Sequence, residues 1–123
     1  EDLLNRTVLY KVGHHGSHNA TLKKKGLDLM TSDELVALIP VDEKWARARK
    51  PHSWKMPFGP MYEDLKTRTR GRIVRTDQGV VKPTGRKKKD REERAEIEAA
   101  WKEFPGAEPT EAKLYTELVI PDN

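Results

Sequence analysis

The chain has 123 residues, of which 24 are Lys or Arg, 20 are Asp or Glu and none is Cys. Its length suits one modest domain or part of a larger one. The absence of cysteine excludes disulfides, thiolate metal sites and a cysteine nucleophile, so any metal must be bound by His, Asp or Glu. No apolar run approaches the roughly 20 residues that a membrane-spanning helix needs, and we expect no membrane segment in this chain.

Charge is distributed unevenly along the chain, which has a formal net charge of +4. Residues 1–94 are basic on balance and residues 95–123 are acidic, so the first part favours anionic substrates. The chain begins with Glu1 rather than Met and reaches a strand-like run by Thr7. We therefore expect a fragment of a longer protein. No signal peptide is visible, and we assign the protein to the cytoplasm.

The first part of the chain is predicted to form a strand, a loop, a short helix and a second strand. Thr7–Val12 is β-branched and aromatic and is stopped by Gly13, which predicts a strand. A glycine-punctuated loop then leads into a short predicted helix at about Ala20–Met30. Glu34–Val41 is almost continuously apolar, as expected for a strand buried on both faces.

The middle of the chain is predicted to form a loop, a helix and a third strand. Prolines and a glycine interrupt Asp42–Met61, which predicts a long loop with one helical turn at Glu43–Arg49. Met61–Arg68 has the pattern of a short helix, and Arg72–Asp77 that of a strand followed by a turn at Gly79. The alternation of strands and helices predicts an α/β fold.

The last part of the chain is predicted to form a basic turn at 82–89, a helix and a final strand. Asp90 and Glu93 have the spacing of a capping box, which predicts a helix beginning at Asp90 and ending near Phe104. Its apolar residues form one stripe, typical of a helix packed on a core: Ile97, Ala100, Trp101 and Phe104. Residues 114–120 alternate and then become apolar, which predicts a last strand.

The sharpest chemical feature is the segment Lys-Val-Gly-His-His-Gly-Ser-His at residues 11–18. Two adjacent imidazoles between glycines stand on backbone that can turn sharply, and neutral imidazole is a strong zinc ligand. An exposed polar loop without function is the alternative, and spacing alone favours neither.

The stretch from Tyr10 to Thr21 resembles the last metal-ligand motif of the metallo-β-lactamase-fold hydrolases. It is most similar to the branch that includes the hydrolase domain of the DNA-uptake competence protein, where a strand ends in Lys-Val-Gly-His-His-Gly-Ser. The order of elements that follows is also similar, through the buried strand at 35–41 to Gly-Arg-Ile-Val-Arg-Thr-Asp at 71–77. The resemblance covers roughly residues 7–81.

The resemblance implies the C-terminal half of an αββα sandwich, a mixed sheet with flanking helices that is completed by an N-terminal half missing here. One or two zinc ions would lie at its edge, mostly on ligands of that missing half. Only the final histidine of the family carries over, and we place it at His15. His14 would contact a phosphate or the metal-bound water, although the two histidines can exchange roles. Ser17 and His18 are expected to contact substrate.

A second candidate feature is the basic and aromatic segment at residues 44–55, which has no acidic residue. Cations hold a phosphate backbone and indoles stack on bases or sugars. The alternative is a loop whose Trp residues cover the sheet edge while Lys and Arg remain in water. The substrate-binding candidates here are Lys44, Arg47, Arg49, His52 and Trp54.

A third basic cluster comprises Arg68, Arg70, Arg72 and Arg75, which we interpret as a solvated sheet edge with Arg72 and Arg75 on opposite faces. Asp77 resembles an Asp at the same point of the family pattern. We interpret it as structural, ending the strand and setting the Gly79 turn.

We divide the chain into the half-domain that resembles the metallo-β-lactamase fold at 1–81, the basic turn at 82–89 and a C-terminal helix and strand extension at 90–123. Three functional hypotheses follow for the chain as a whole. The first is a C-terminal fragment of a zinc-dependent hydrolase acting on a phosphodiester or nucleic acid, inactive by itself because a catalytic zinc needs about three protein ligands. The second is a non-catalytic module that binds anions or nucleic acid through residues 44–55. The third is an interaction half, which would expose a large apolar sheet face when alone.

Overall fold

The computed structural model of the chain describes residues 2–13, 26–50, 53, 59–104, 110–111, 116–117 and 120. The helices are α1 (Asp2–Asn5), α2 (Glu43–Arg47), α3 (Gly59–Arg68) and α4 (Lys88–Glu103), with a 3-10 turn at Leu27–Leu29. The strands are β1 (Leu9–Lys11), β2 (Val36–Ile39), β3 (Ile73–Arg75), β4 (Gly79–Val80), β5 (Thr110–Glu111) and β6 (Thr116–Glu117). No helix in these ranges is both long and apolar enough to cross a bilayer.

Strands β1 to β4 form one mixed sheet in the order of the chain. The first three strands are parallel, with Leu9 opposite Val36 and Ala37 opposite Ile73. Strand β4 returns antiparallel to β3 after a turn in which Gly79 has φ 72°, a left-handed conformation that favours glycine. Strands β5 and β6 form a separate antiparallel hairpin. The predicted α/β class, a mixed sheet with flanking helices, is confirmed.

One face of the sheet is covered by α3 and the 3-10 turn. Side chains alternate along β2, so Ala37 and Ile39 lie on this face and Val36 lies on the other. Met61 and Leu65 are the buried residues of α3 and belong to this core. The described parts of the two connections between the parallel strands therefore pack on the same face of the sheet. Crossovers of one hand between strands that step in one direction produce this arrangement.

The other face of the sheet is covered by α4. Ile97, Trp101 and Phe104 form a core with Val36 and Val74. Trp101 is only 1% exposed and meets the Phe104 ring edge to face at 5.8 Å. Burial contributes about 1.5–3 kcal/mol for each large apolar side chain, so the predicted stripe fixes the helix on the sheet. The large apolar sheet face expected for a lone half-sandwich is therefore not exposed among the described residues.

Most predicted elements are confirmed, although the observed strands are shorter. Helix α2 falls within the predicted turn at Glu43–Arg49, and α3 begins two residues before Met61, at Gly59. Of the helix predicted at Ala20–Met30, residues 20–25 lie outside the described ranges. The remainder contains only the 3-10 turn. Strand β6 lies within the predicted 114–120, whereas α1 and β5 were not predicted.

The predicted capping box at the start of α4 is wrong. The helix begins at Lys88 with Lys87 as its N-cap, so Asp90 lies inside the first turn. There its negative charge is favourable beside the positive end of the helix dipole. The preceding turn is held instead by Arg94, which donates to the carbonyl oxygens of Pro83 and Gly85 at 2.8 Å each.

Candidate functional site at the carboxyl edge of the sheet

The three parallel strands end at one edge of the sheet, which we call the carboxyl edge. The Val12 amide donates to Leu38 O at 2.8 Å just beyond β1, and the Thr76 amide donates to Ile39 O at 3.1 Å just beyond β3. The segments that follow β1, β2 and β3 therefore leave the sheet together. In open α/β sheets ligands bind beyond the carboxyl ends of the strands, at a point where the strand order reverses; the order of the described strands does not reverse.

The histidine segment begins at the carboxyl edge. Val12 is fully buried and Gly13, the last residue described before the segment, is exposed. The candidates from that segment and from the basic loop that fall outside the described ranges are His14, His15, Ser17, His18, His52 and Trp54. Among the residues that the structure does describe, no group of three or more His, Asp or Glu side chains could hold a metal.

Helix α2 follows β2 and is held firmly at this edge. The Asp42 carboxylate caps it by accepting from the Trp45 amide at 2.9 Å. The Thr76 hydroxyl pairs with both the amide and the carbonyl of Val41, each at 2.8 Å. Asp77 accepts from the Glu43 amide at 3.0 Å. The residues after β3 thus fix the start of the helix that follows β2.

A buried arginine completes this attachment. Arg75 donates to Asp77 through Nε and Nη2 at 2.8 and 2.7 Å, and Nη2 also lies 3.4 Å from Glu43 Oε1. Burial opposes the charge of Arg75, but Asp77 and then Tyr62 outweigh it and raise the pKa of the guanidinium. Burial also acts to raise the pKa of Asp77. The hydrogen bonds from Arg75 and the Glu43 amide outweigh burial and hold that pKa below its ordinary value.

Asp77 was predicted to be structural, by ending the strand and setting the Gly79 turn, but its observed contacts join β3 to α2. Both carboxylate oxygens accept hydrogen bonds from Arg75, and one also accepts from α2. A metal bound to Asp77 would have to compete with these bonds. The carboxylate joins the end of β3 to α2 in addition to preceding the turn at Gly79.

Three basic residues and one tryptophan on and after α2 form what we call the α2 surface, in which Arg49 is half-buried and the others are exposed: Lys44, Trp45, Arg47 and Arg49. Arg47 donates to Glu43 at 3.2 Å, and the two side chains are 55% and 37% exposed. The Arg49 guanidinium carbon lies 4.0 Å from the centroid of the Trp45 ring, and Arg49 Nε donates to Trp45 O at 3.1 Å. The structure thus brings Lys44, Arg47 and Arg49 of the predicted site together.

Trp45 does not cover the sheet edge as the alternative interpretation of this loop expected. The residue is 49% exposed, while Ala46 is the buried residue of α2 at 1%. The predicted site residues omitted Trp45. The sequence did contain a signal for Trp45. Asp42, three residues earlier, is a typical helix N-cap, and the helix that it begins carries the indole on its first turn beside Lys44.

The predicted solvated sheet edge at the third basic cluster is wrong. Arg72 is 1% exposed and Arg75 is 4% exposed. Arg72 donates to three backbone carbonyls, Asp33 O, Leu35 O at 3.2 Å and Ala100 O at 3.0 Å. Arg72 and Arg75 do lie on opposite faces, since one contacts α4 and the other contacts α2.

The two remaining arginines of that cluster form ion pairs nearer the surface. Arg68 binds Asp28 at 2.6 Å and Asp64 at 3.1 Å, and Arg70 binds Glu103. Each arginine of the cluster therefore has a partner within the fold, and the cluster does not form a separate anion site.

No family model, no curated protein and no solved structure matches the chain. The resemblance to the metallo-β-lactamase fold therefore depends on the residues quoted for it in the sequence.

Proposed function

We propose that this chain contributes the C-terminal half of a metal-dependent hydrolase of the metallo-β-lactamase fold, acting on a phosphodiester. The observation that carries the proposal is the place where the His-His-Gly-Ser segment begins. Gly13 follows β1 at the carboxyl edge of three parallel strands, the edge where α/β sheets bind ligands. The His-His-Gly-Ser motif and its position at the carboxyl edge both support a metal-dependent hydrolase.

In this proposal His15 is a zinc ligand and His14 contacts a phosphate oxygen or the metal-bound water. The described residues do not form a metal site by themselves, and Asp77 is engaged by Arg75. The remaining ligands for one or two zinc ions come from the N-terminal half, and this chain alone does not hydrolyse substrate. Bound zinc supplies a water of lowered pKa and polarises the phosphoryl group.

The substrate contacts come from the histidine segment and from the basic segment after β2. Exposed cations on α2 attract a phosphodiester. Because α2 is held to β3 through Thr76 and Asp77, these cations keep a fixed position relative to the carboxyl edge. The proposed contacts are Ser17, His18, Lys44, Arg47, Arg49, His52 and Trp54.

The position of α4 sets a condition for the αββα arrangement. In such a sandwich the two sheets pack face to face, but here Ile97, Trp101 and Phe104 cover the sheet face opposite α3. A second sheet can occupy that face only if α4 leaves it. The proposed assembly therefore requires α4 to be exchanged for the N-terminal half.

Metal analysis tests the hydrolase proposal. The chain is purified alone and together with the polypeptide encoded directly upstream of Glu1, and zinc per complex is measured after dialysis. We expect zinc only in the complex, lost in His15→Ala and retained in Lys88→Ala, whose side chain is 85% exposed on α4. Reconstituted halves without zinc above background would contradict the proposal, as would zinc binding unaffected by His15→Ala and His14→Ala.

A non-catalytic module that binds anions or nucleic acid is the second candidate, favoured by the exposed cations of α2. It predicts salt-sensitive oligonucleotide binding by the chain alone. Neutralising Lys44, Arg47, Arg49 and Lys50 to Gln should abolish that binding. The matched control neutralises four exposed cations elsewhere, Lys87, Lys88, Lys89 and Arg91. Equal affinity of the two quadruple variants would discard this candidate.

A further inference from the structure

We propose that Trp45, with Arg49 stacked on it, is a platform for an unpaired base, so that the α2 surface selects single-stranded over double-stranded nucleic acid. This inference rests on the proposed function, in which the substrate is a phosphodiester. It narrows the substrate class to single-stranded nucleic acid, whose bases are accessible.

The first argument is the exposure of the indole. Trp45 is 49% exposed on a helix whose buried contact is made by Ala46. The other exposed large hydrophobic residues among those described are Leu3 at 76% and Ile120 at 39%, and neither is aromatic. An exposed indole offers a flat face on which any base can stack.

The second argument is the arginine on the ring. The Arg49 guanidinium carbon lies 4.0 Å from the Trp45 centroid, and its Nε is tied to Trp45 O. A planar guanidinium over an indole orders both groups and adds a cation to the stack. The Arg49 side chain is therefore already held in place and loses little conformational entropy when it binds a phosphate or a base.

The third argument is the rigid mounting of α2. Its first turn is capped by Asp42 at 2.9 Å and held by Asp77 at 3.0 Å. The carboxylates of Asp42 and Asp77 thus accept hydrogen bonds from backbone amides. The Glu43 carboxylate accepts hydrogen bonds from Arg75 and Arg47. Lys44 remains exposed beside the indole, so a phosphate can bind next to a stacked base.

Together these features favour single strands. In a duplex the bases are already stacked and paired, so an indole can take one only after unpairing it, which costs free energy. In a single strand the same base is accessible, and stacking on an aromatic side chain strengthens binding about five- to 150-fold per base.

The test is fluorescence anisotropy of the full chain with three labelled probes: a 12-nucleotide single strand, the duplex of the same sequence, and an abasic strand of equal length. We expect the ordinary strand to bind more tightly than the other two. Trp45→Ala should lower its affinity about five- to 150-fold and leave abasic binding unchanged. Trp45→Phe should retain most of the affinity because the ring face remains.

Lys88→Gln is the control, since it removes one exposed cation that lies on α4 and is not part of the α2 surface. Equal affinity for ordinary and abasic strands, tighter binding of the duplex, or no effect of Trp45→Ala would each overturn the platform. Thermal unfolding of Trp45→Ala establishes that the fold is intact. If binding depends on the bases but the reconstituted halves bind no zinc, the hydrolase proposal is contradicted and the base platform is not. If the halves bind zinc but binding does not depend on the bases, the base platform is contradicted and the hydrolase proposal is not.

Discussion

Arg75 binds the Asp77 carboxylate through two parallel hydrogen bonds, from Nε to Oδ1 at 2.8 Å and from Nη2 to Oδ2 at 2.7 Å. The two side chains are only 5% and 15% exposed. A bidentate pair with little access to water is stronger than an exposed ion pair, whose contribution is about 0–1 kcal/mol. Because Asp77 also accepts from the Glu43 amide, the pair joins the end of β3 to α2.

Asp77→Asn should destabilise the protein by about 3 kcal/mol. The substitution keeps the shape of the side chain but leaves a largely buried guanidinium with only Glu43, at 3.4 Å, as a charge partner. Complete loss of the partner of a fully buried charge costs about 3–5 kcal/mol. Urea unfolding followed by circular dichroism measures the change. Glu92→Gln is the control, because its pairing with Lys88 is exposed. A loss below about 1 kcal/mol in Asp77→Asn would contradict the role assigned to this pair.

The stability of the wild type should fall more steeply with acid than that of Asp77→Asn. The pKa of Asp77 is lower in the folded state than the ordinary value of about 3.9. A depressed carboxyl pKa stabilises the fold fully above the unfolded pKa, and this contribution is lost as the pH falls through the folded pKa. Unfolding free energies measured at pH 6, 5, 4 and 3 should therefore differ by a constant amount at pH 6 and 5, and this difference should begin to shrink as the pH falls below about 4. A difference that stays constant down to pH 3 would show that ionisation of Asp77 does not contribute.

Patterns of hydrophobicity were sufficient to predict most of the fold. The apolar run at Glu34–Val41 identified β2, and the stripe from Ile97 to Phe104 identified the face of α4 that is buried. The first is a continuous apolar run and the second is a helical period, and both are local properties of the chain. The exact start of α4 was missed because Asp90 and Glu93 have the spacing of a capping box, whereas the helix begins one turn earlier without a side-chain cap.

The roles of the arginines could not be predicted in the same way. Arg72 immediately precedes β3 and Arg75 ends it, and charged residues at such positions are usually exposed. Arg72 has partners 28 to 39 residues away, whereas Arg75 binds Glu43, 32 residues away, and Asp77 in the following turn. For Arg72 these partners are backbone carbonyls of residues 33, 35 and 100, which leave no signature in the sequence. The Trp45 and Arg49 stack was within reach, because a spacing of four residues places two side chains on one side of a helical turn.

Arg72→Lys should cost about 2–3 kcal/mol of unfolding free energy. An ammonium group cannot reproduce the planar fork that serves Asp33 O, Leu35 O and Ala100 O, and a buried carbonyl without a donor costs about 1–3 kcal/mol. Burial, and then the charge of Arg70, already lowers the pKa of Arg72, so the group relies on these carbonyls. Arg70→Lys is the control, as Arg70 is 46% exposed. Equal stability of the two variants would contradict this account.

Removing α4 from the sheet should make the chain self-associate. Trp101→Ala is expected to cost about 3–5 kcal/mol, and a chain ending at residue 87 would expose Val36 and Val74 as part of an apolar patch. Light scattering after size-exclusion chromatography should therefore find the full chain monomeric and the shortened chain associated. A monomeric, folded chain 1–87 would show that α4 is not part of the core.

The same helix tests the proposed sandwich. If an N-terminal half replaces α4 on the sheet, the amides of residues 92–103 should exchange with deuterium faster in the zinc-bound complex than in the chain alone. The reason is that Trp101 and Phe104 would lose the contacts that now hold the helix in place. Residues of α3 should keep their protection in both states, because Met61 and Leu65 lie on the opposite face. Unchanged protection of α4 in a zinc-bound complex would mean that the second half docks at another surface, and the face-to-face arrangement of sheets would then be wrong.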